Sequence, residues 1–114
     1  MRIVVTGANG FIGSVVVETL LRNGHEVIAC CRNPDNLPTS SRLHFRPIDL
    51  SRADGIGDWR SHLDGVSAVV NCAGILRESH RGDFKRIHVD APSALVSACI
   101  EAGTAKFIQV SALG

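Results

Sequence analysis

Gly7, Gly10 and Gly13 fall at every third residue of the stretch TGANGFIG, Thr6–Gly13, directly behind the apolar run Ile3-Val4-Val5. Glycines at that spacing suit a diphosphate that must approach backbone. The first permits a tight turn at a strand end, the second leaves no side chain in the approach path, and the third lets helix and strand pack closely. A helix opening at Phe11 and Ile12 would aim free N–H groups and the positive end of its dipole at the phosphates. Thr6 and Asn9 carry short polar side chains able to steady the turn. The stretch lacks the Gly-Lys-Ser/Thr ending of a triphosphate loop. It predicts dinucleotide binding; the alternative is a tight structural turn that binds nothing.

The surrounding pattern supplies the context such a turn needs. Arg2–Thr6 reads as a strand and Phe11–Arg22 as a helix, with Ile12, Val15, Val16, Thr19 and Leu20 at helical spacing and Asn23-Gly24 as a stop. His25–Cys31 reads as a second strand, and Asn33–Ser41, with two prolines, as a loop. Leu43–Ile48 is a third strand, bent or at an edge because of Pro47. Asp49–Gly57 is turn material with a weak helix running on through Trp59 to Leu63. Val66–Cys72 is nearly all apolar, as in a strand covered on both faces. Phe84–Ala102 carries Ile87, Ala91, Ala94, Leu95, Ala98 and Cys99 on one helical face. Pro92 either kinks that helix or divides a short first turn from its main body. Ala105–Ser111 is a fifth strand. Strands alternating with helices predict a parallel sheet with crossover helices. The stop three residues after the fifth strand leads us to expect the first part of a longer protein.

Composition narrows the classes. The chain has 114 residues, enough for one domain and one modest core. Lys and Arg number 12 against 11 Asp and Glu, a net charge of +1 with no basic or acidic block, so nothing argues for nucleic acid or an anionic membrane. No apolar run is long enough to span a bilayer, and MRIVVTG lacks the features of a signal peptide. Cys30, Cys31, Cys72 and Cys99 form no C-x-x-C pair and read as reduced core thiols in a cytoplasmic protein, with a zinc site or a disulfide scaffold as the alternatives. His25, His44, His62 and His80 show no ligand spacing, so no metal is expected. Trp59, the only tryptophan and without neighbouring aromatics that would suggest a stacking platform, reads as packing.

On these residues the chain resembles short-chain dehydrogenases/reductases of the extended or atypical kind and is similar to the NAD-dependent epimerase/dehydratase group. TGANGFIG matches the family's glycine spacing. Asp49-Leu50 stands where the family has an acidic residue near the adenine. Asn71-Cys72-Ala73-Gly74 resembles its N-x-A-G segment after the fourth strand. KFIQVS, Lys106–Ser111, resembles the strand that carries its catalytic serine or threonine. The run FKRIHVDAPSALVSACIEAGTAKFIQVSALG looks closest to the atypical branch related to the respiratory complex I accessory subunit and the NmrA-like proteins. The expected architecture is a Rossmann-type three-layer α/β domain spanning residues 1–114, strand order 3-2-1-4-5, truncated after the fifth strand.

The resemblance implies a cofactor role for Asp49 and Leu50 near the adenine; the alternative for Asp49 is an Asx-turn or helix cap. Asn71, Ala73 and Gly74 follow the fourth strand at the carboxyl edge, where ligands of open parallel sheets gather. Ala73 and Gly74 are small enough for backbone to pass the nicotinamide ribose or the diphosphate; a plain strand-to-helix turn is the alternative. Ile75 and Leu76 would cover one face. At the end of the second strand Arg32 can face a 2′-phosphate bidentately, which favours NADP over NAD. Asp35 offers the opposite choice if a bend after Pro34 returns it to the ribose. Ser111 would hydrogen-bond a substrate hydroxyl or carbonyl, with Ala112 as the other register for that position. His88 departs from the family's asparagine and takes no role.

The family's acid/base tyrosine and partner lysine, spaced Y-x-x-x-K, are not supplied by this chain, which has no tyrosine. The sequence therefore implies a cofactor-binding part of an NAD(P)-dependent oxidoreductase or epimerase acting on a small molecule. Two other classes stand beside it: a non-catalytic NADP(H)-sensing regulator, and a structural or assembly subunit. Apolar edges of an unfinished sheet would also let two chains pair.

Overall fold

The computed structural model describes residues 1–50, 52, 55–73, 82 and 85–110. Five strands form one parallel sheet: β1 (Arg2–Thr6), β2 (Glu26–Cys31), β3 (Leu43–Pro47), β4 (Ala68–Asn71) and β5 (Lys106–Gln109). Their order is β3-β2-β1-β4-β5. The chain runs outward from β1 to β3 and then returns to the other side of β1 as β4. The order therefore reverses between β1 and β4, and open sheets of this kind bind ligands at such a reversal. The expected fold class and strand order are those observed.

Two helical layers cover the sheet. Helix α1 (Phe11–Arg22) packs Val17 and Leu21 against Ile3, Val5, Val27 and Ala29. On the opposite face, α2 (Ile56–Arg60) contributes Trp59, and α3 (Ala91–Ala102) contributes Ala94, Leu95, Ala98 and Cys99, against Val4, Ile28 and Val69. Successive strand residues point to opposite faces, so the apolar run Val4-Val5 serves both cores at once. Trp59 is fully buried in the second of them, a packing residue as its isolation among aromatics implies. Arg60 Nη2 donates to Glu101 Oε1 at 2.6 Å, joining α2 to α3 at the surface.

Several boundaries shift for identifiable reasons. Strand β2 starts one residue later than expected, at Glu26, and β4 is confined to Ala68–Asn71, although the Ser67 and Cys72 N–H groups still donate to β1 at 2.8 and 3.2 Å. Strand β3 is an edge strand, where Pro47, which has no N–H to donate, is tolerated. The long C-terminal helix is divided: a π-helical segment, Arg86–Asp90, leads directly into α3, with Pro92 in the first turn of α3. The wider turn accommodates a proline that can neither donate a hydrogen bond nor tolerate the carbonyl four residues back. Among the described residues, no helix is long and apolar enough to cross a membrane.

Candidate functional site

The sheet is parallel, so the ends of all five strands that carry candidate residues lie along one edge. Gly7 follows β1 with φ +60°, and a side chain there would sit 2.8 Å from the backbone of Ala73. The tight turn thus brings the chain after β1 against the chain after β4. Gly13 is tighter still: a Cβ would lie 1.9 Å from the Gly7 carbonyl oxygen. The third glycine therefore makes room for the turn itself, a closer constraint than the helix–strand packing expected of it. Gly10 differs from both. Its Cβ would meet only the Gly7 oxygen, at 3.2 Å, among the described residues. Among the described residues, no backbone or side chain other than the Gly7 carbonyl approaches that position.

Gly10 also precedes α1, with extended backbone and no side-chain cap. No acidic residue stands in the first turn. The first N–H groups of a helix have no intrahelical acceptor, and among the described residues no side chain caps the start of α1. Phe11 is 93% exposed and Ile12 51%, so this end of the helix faces outward. An uncapped N-terminus beside an open glycine is suited to an anion held by backbone N–H groups.

The other candidates flank this turn. Asn9 Nδ2 reaches the Asn33 carbonyl and its Oδ1, each at 3.4 Å, tying the glycine turn to the loop after β2. Asn33 Oδ1 accepts from the Asp35 N–H at 3.2 Å, an Asx-turn, while the Cys31 thiol donates to the Asn33 carbonyl at 3.1 Å. Arg32 and Asp35 are both exposed on this loop. Asp49 and Leu50 follow β3; the Asp49 carbonyl accepts from the Arg52 N–H at 3.0 Å, and Leu50 packs against the core beneath α2 and α3. Gly74, Ile75, Leu76, Ser111 and Ala112 lie outside the described residues.

Asn71 ends β4 and is 1% exposed. The Thr6 hydroxyl, also buried, donates to Asn71 Oδ1, and Asn71 Nδ2 donates to Gln109 Oε1 at 2.8 Å. On the other side of Thr6 stands Cys30 of β2, in register with it. Burial pushes the Cys30 thiol up to about 12, so it is neutral at physiological pH. Burial also raises Cys31, against which the backbone of Asn9 and Asn33 acts. All four cysteines are free thiols. Gln109 and Asn33 are the residues that motif spacing does not reveal. Asn33 is legible only as loop, and Gln109 gains its place from strand register, which no local pattern encodes.

Residues 3–113 match the model of the NAD dependent epimerase/dehydratase family. An uncharacterized protein of Mycobacterium tuberculosis is 33% identical over 112 residues, which cover 97% of this chain and 12% of that protein. A 3-beta-hydroxysteroid dehydrogenase of Mycolicibacterium neoaurum is 30% identical, over 94% of this chain and 31% of its own length. The chain therefore spans about a third or less of these curated relatives. Among solved structures, MoeE5 in complex with UDP-glucose and NAD superposes with a TM-score of 0.79 at 31% identity, covering 98% of this chain and 36% of MoeE5. With a match over nearly its whole length, on an NAD(P)-binding fold of the oxidoreductase and epimerase type, the chain belongs to the NAD dependent epimerase/dehydratase family.

Proposed function

We propose that residues 1–114 form the NAD(P)-binding domain of a longer oxidoreductase or epimerase/dehydratase-like enzyme. The observation that carries this reading is the open position at Gly10. Gly7 and Gly13 are demanded by the chain's own backbone, whereas a Cβ at Gly10 would meet, among the described residues, only the Gly7 carbonyl oxygen at 3.2 Å. The uncapped start of α1 beside it offers N–H groups to the same space. A dinucleotide diphosphate fits both. Gly7, Asn9, Gly10, Phe11, Ile12 and Gly13 would hold it, with Thr6 beneath the turn. Asp49 and Leu50 would border the adenine, and Asn71, Ala73 and Gly74 the nicotinamide side. Ser111 would orient a substrate oxygen. When bound, the nicotinamide supplies hydride transfer; the residues of this chain hold and orient it.

Arg32 favours NADP(H), because an exposed guanidinium at the end of β2 can pair with a 2′-phosphate. The run from Phe84 to Gly114 supports a place in the atypical branch akin to the complex I accessory subunit and NmrA-like proteins. A cytoplasmic homodimer belongs to the same reading. Calorimetry with NADPH and NADH tests it: NADPH should bind more tightly. Equal affinities would remove the role given to Arg32, and no binding of either would overturn the domain's function.

A second reading stands beside the first. A dinucleotide-sensing or assembly role would need only the binding half. A Y-x-x-x-K pair within about 30 residues after Leu113 in the full protein would decide for the enzyme.

A further inference from the structure

Three side chains cross the carboxyl edge of the sheet in one line. Thr6, Asn71 and Gln109 end β1, β4 and β5, and they are mutual neighbours in the strand register. Their hydrogen bonds run in one direction. Thr6 donates to Asn71 Oδ1, Asn71 Nδ2 donates to Gln109 Oε1 at 2.8 Å, and Gln109 Nε2 donates to the Val110 carbonyl at 3.3 Å. Each amide is thereby fixed in orientation. The line bridges β1 and β4, where the strand order reverses, and starts at the residue that leads into the glycine turn.

The two ends of this line differ in how firmly they are held. Thr6 is fully buried and leads directly into Gly7. Among the described residues, β5 is the outermost strand beside β4 and exposes Lys106, Ile108 and Gln109. Edge strands with exposed side chains open locally more readily than buried ones. Asn71 restrains this end twice: its carbonyl accepts from the Val110 N–H at 3.0 Å, and its side chain holds Gln109. Opening the end of β5 would strand a buried Asn71 N–H without an acceptor, a costly loss.

We propose that Asn71 and Gln109 are positioning residues that tie the carboxyl end of β5 to the glycine turn, so that a ligand that steadies the turn also steadies the end of β5. This rests on the proposed binding of a dinucleotide at that turn. In the parent protein, whatever follows β5 would then be placed relative to the cofactor by these amides, in addition to the backbone ladder.

Amide hydrogen exchange at Val110 tests it on the whole 114-residue chain, with NADH binding followed separately by nicotinamide fluorescence. In the wild type, saturating NADH should slow exchange at Val110 about tenfold, the scale of one buried hydrogen bond. Gln109→Leu should remove that slowing while changing NADH affinity less than about threefold, since the side chain is remote from the turn. Gln109→Glu keeps an acceptor for Asn71 Nδ2 and should restore the slowing. Bound NADH that slows Val110 equally in Gln109→Leu would overturn the proposal, and so would a Gln109→Glu protein as defective as Gln109→Leu. A wild type that shows no NADH fluorescence change overturns the dinucleotide reading, and the coupling with it.

Discussion

The carboxyl ends of β1 and of β4–β5 lie side by side, yet they are built by different means. After β1 the chain is shaped by backbone against backbone: the Gly7 carbonyl lies where a Gly13 side chain would be, and Gly7 itself lies against Ala73. After β4 and β5 the edge is shaped by side-chain amides, Asn71 to Gln109, in a line shared with Thr6. At Gly7 and Gly13 the first tolerates no added atom. The second tolerates changes of shape but not the loss of a donor or acceptor. Steric exclusion thus shapes the turn, and side-chain hydrogen bonds link the ends of the strands beside it.

The largest expected effect comes from breaking the backbone-built half. Gly13→Val places a side chain within the Gly7 carbonyl, so the turn must move or α1 must detach. A loss of about 4 kcal/mol or more is expected in urea unfolding, enough to unfold a marginal domain. A folded Gly13→Val protein with wild-type stability would contradict the steric account. The amide-built half should break more gently. Asn71→Leu keeps the volume but leaves the Thr6 hydroxyl and the Gln109 amide without their partner. A loss of about 2 kcal/mol is expected by the same measurement.

Cys30, on the other side of Thr6 from Asn71, sharpens the contrast by titrating. Its folded value of about 12 lies above the unfolded value of 9.0. The folded state therefore keeps a proton that the unfolded state has lost, and stability falls as pH rises from 9 towards 12. A loss of about 1.4 kcal/mol is expected at pH 10 relative to pH 8 from this thiol. Cys30→Ala should flatten that part of the urea-midpoint profile, while an unchanged slope would assign it to other groups. The smallest effect belongs to the exposed loop after β2. Arg32→Ala should weaken NADPH by about tenfold and leave NADH unchanged, consistent with one charge-assisted contact of about 1.4 kcal/mol.

The same contrast explains how much could be read from the sequence. A glycine turn is a local code: Gly7, Gly10 and Gly13 lie within seven residues and announce their conformation through their spacing. The apolar runs give the strands, and the helices alternating with them give the parallel sheet, because crossovers leave few choices. Pro47 marks an edge strand and Pro92 a break, each through a missing N–H. The Asn71–Gln109 bond joins residues 38 positions apart, and only the register of β4 with β5 brings them together. Its members look like ordinary polar residues at strand ends. The division of labour among the glycines was likewise hidden, since Gly10 and Gly13 are identical in sequence and differ only in what surrounds them. The cofactor choice rests on Arg32 and Asp35, both exposed on one short loop, where local pattern gives two answers.

The central claim is that the space beside Gly10 belongs to a dinucleotide diphosphate. Calorimetric titration of NADH into wild type and Gly10→Val measures it most directly, with circular dichroism confirming that both are folded. Among the described residues a Cβ at Gly10 meets only the Gly7 carbonyl oxygen, at 3.2 Å, against 1.9 Å at Gly13, so a small shift of that carbonyl lets the variant fold. Binding should weaken by about 30-fold or more, roughly 2 kcal/mol of lost contact. A folded Gly10→Val protein that binds NADH as tightly as the wild type would contradict the account.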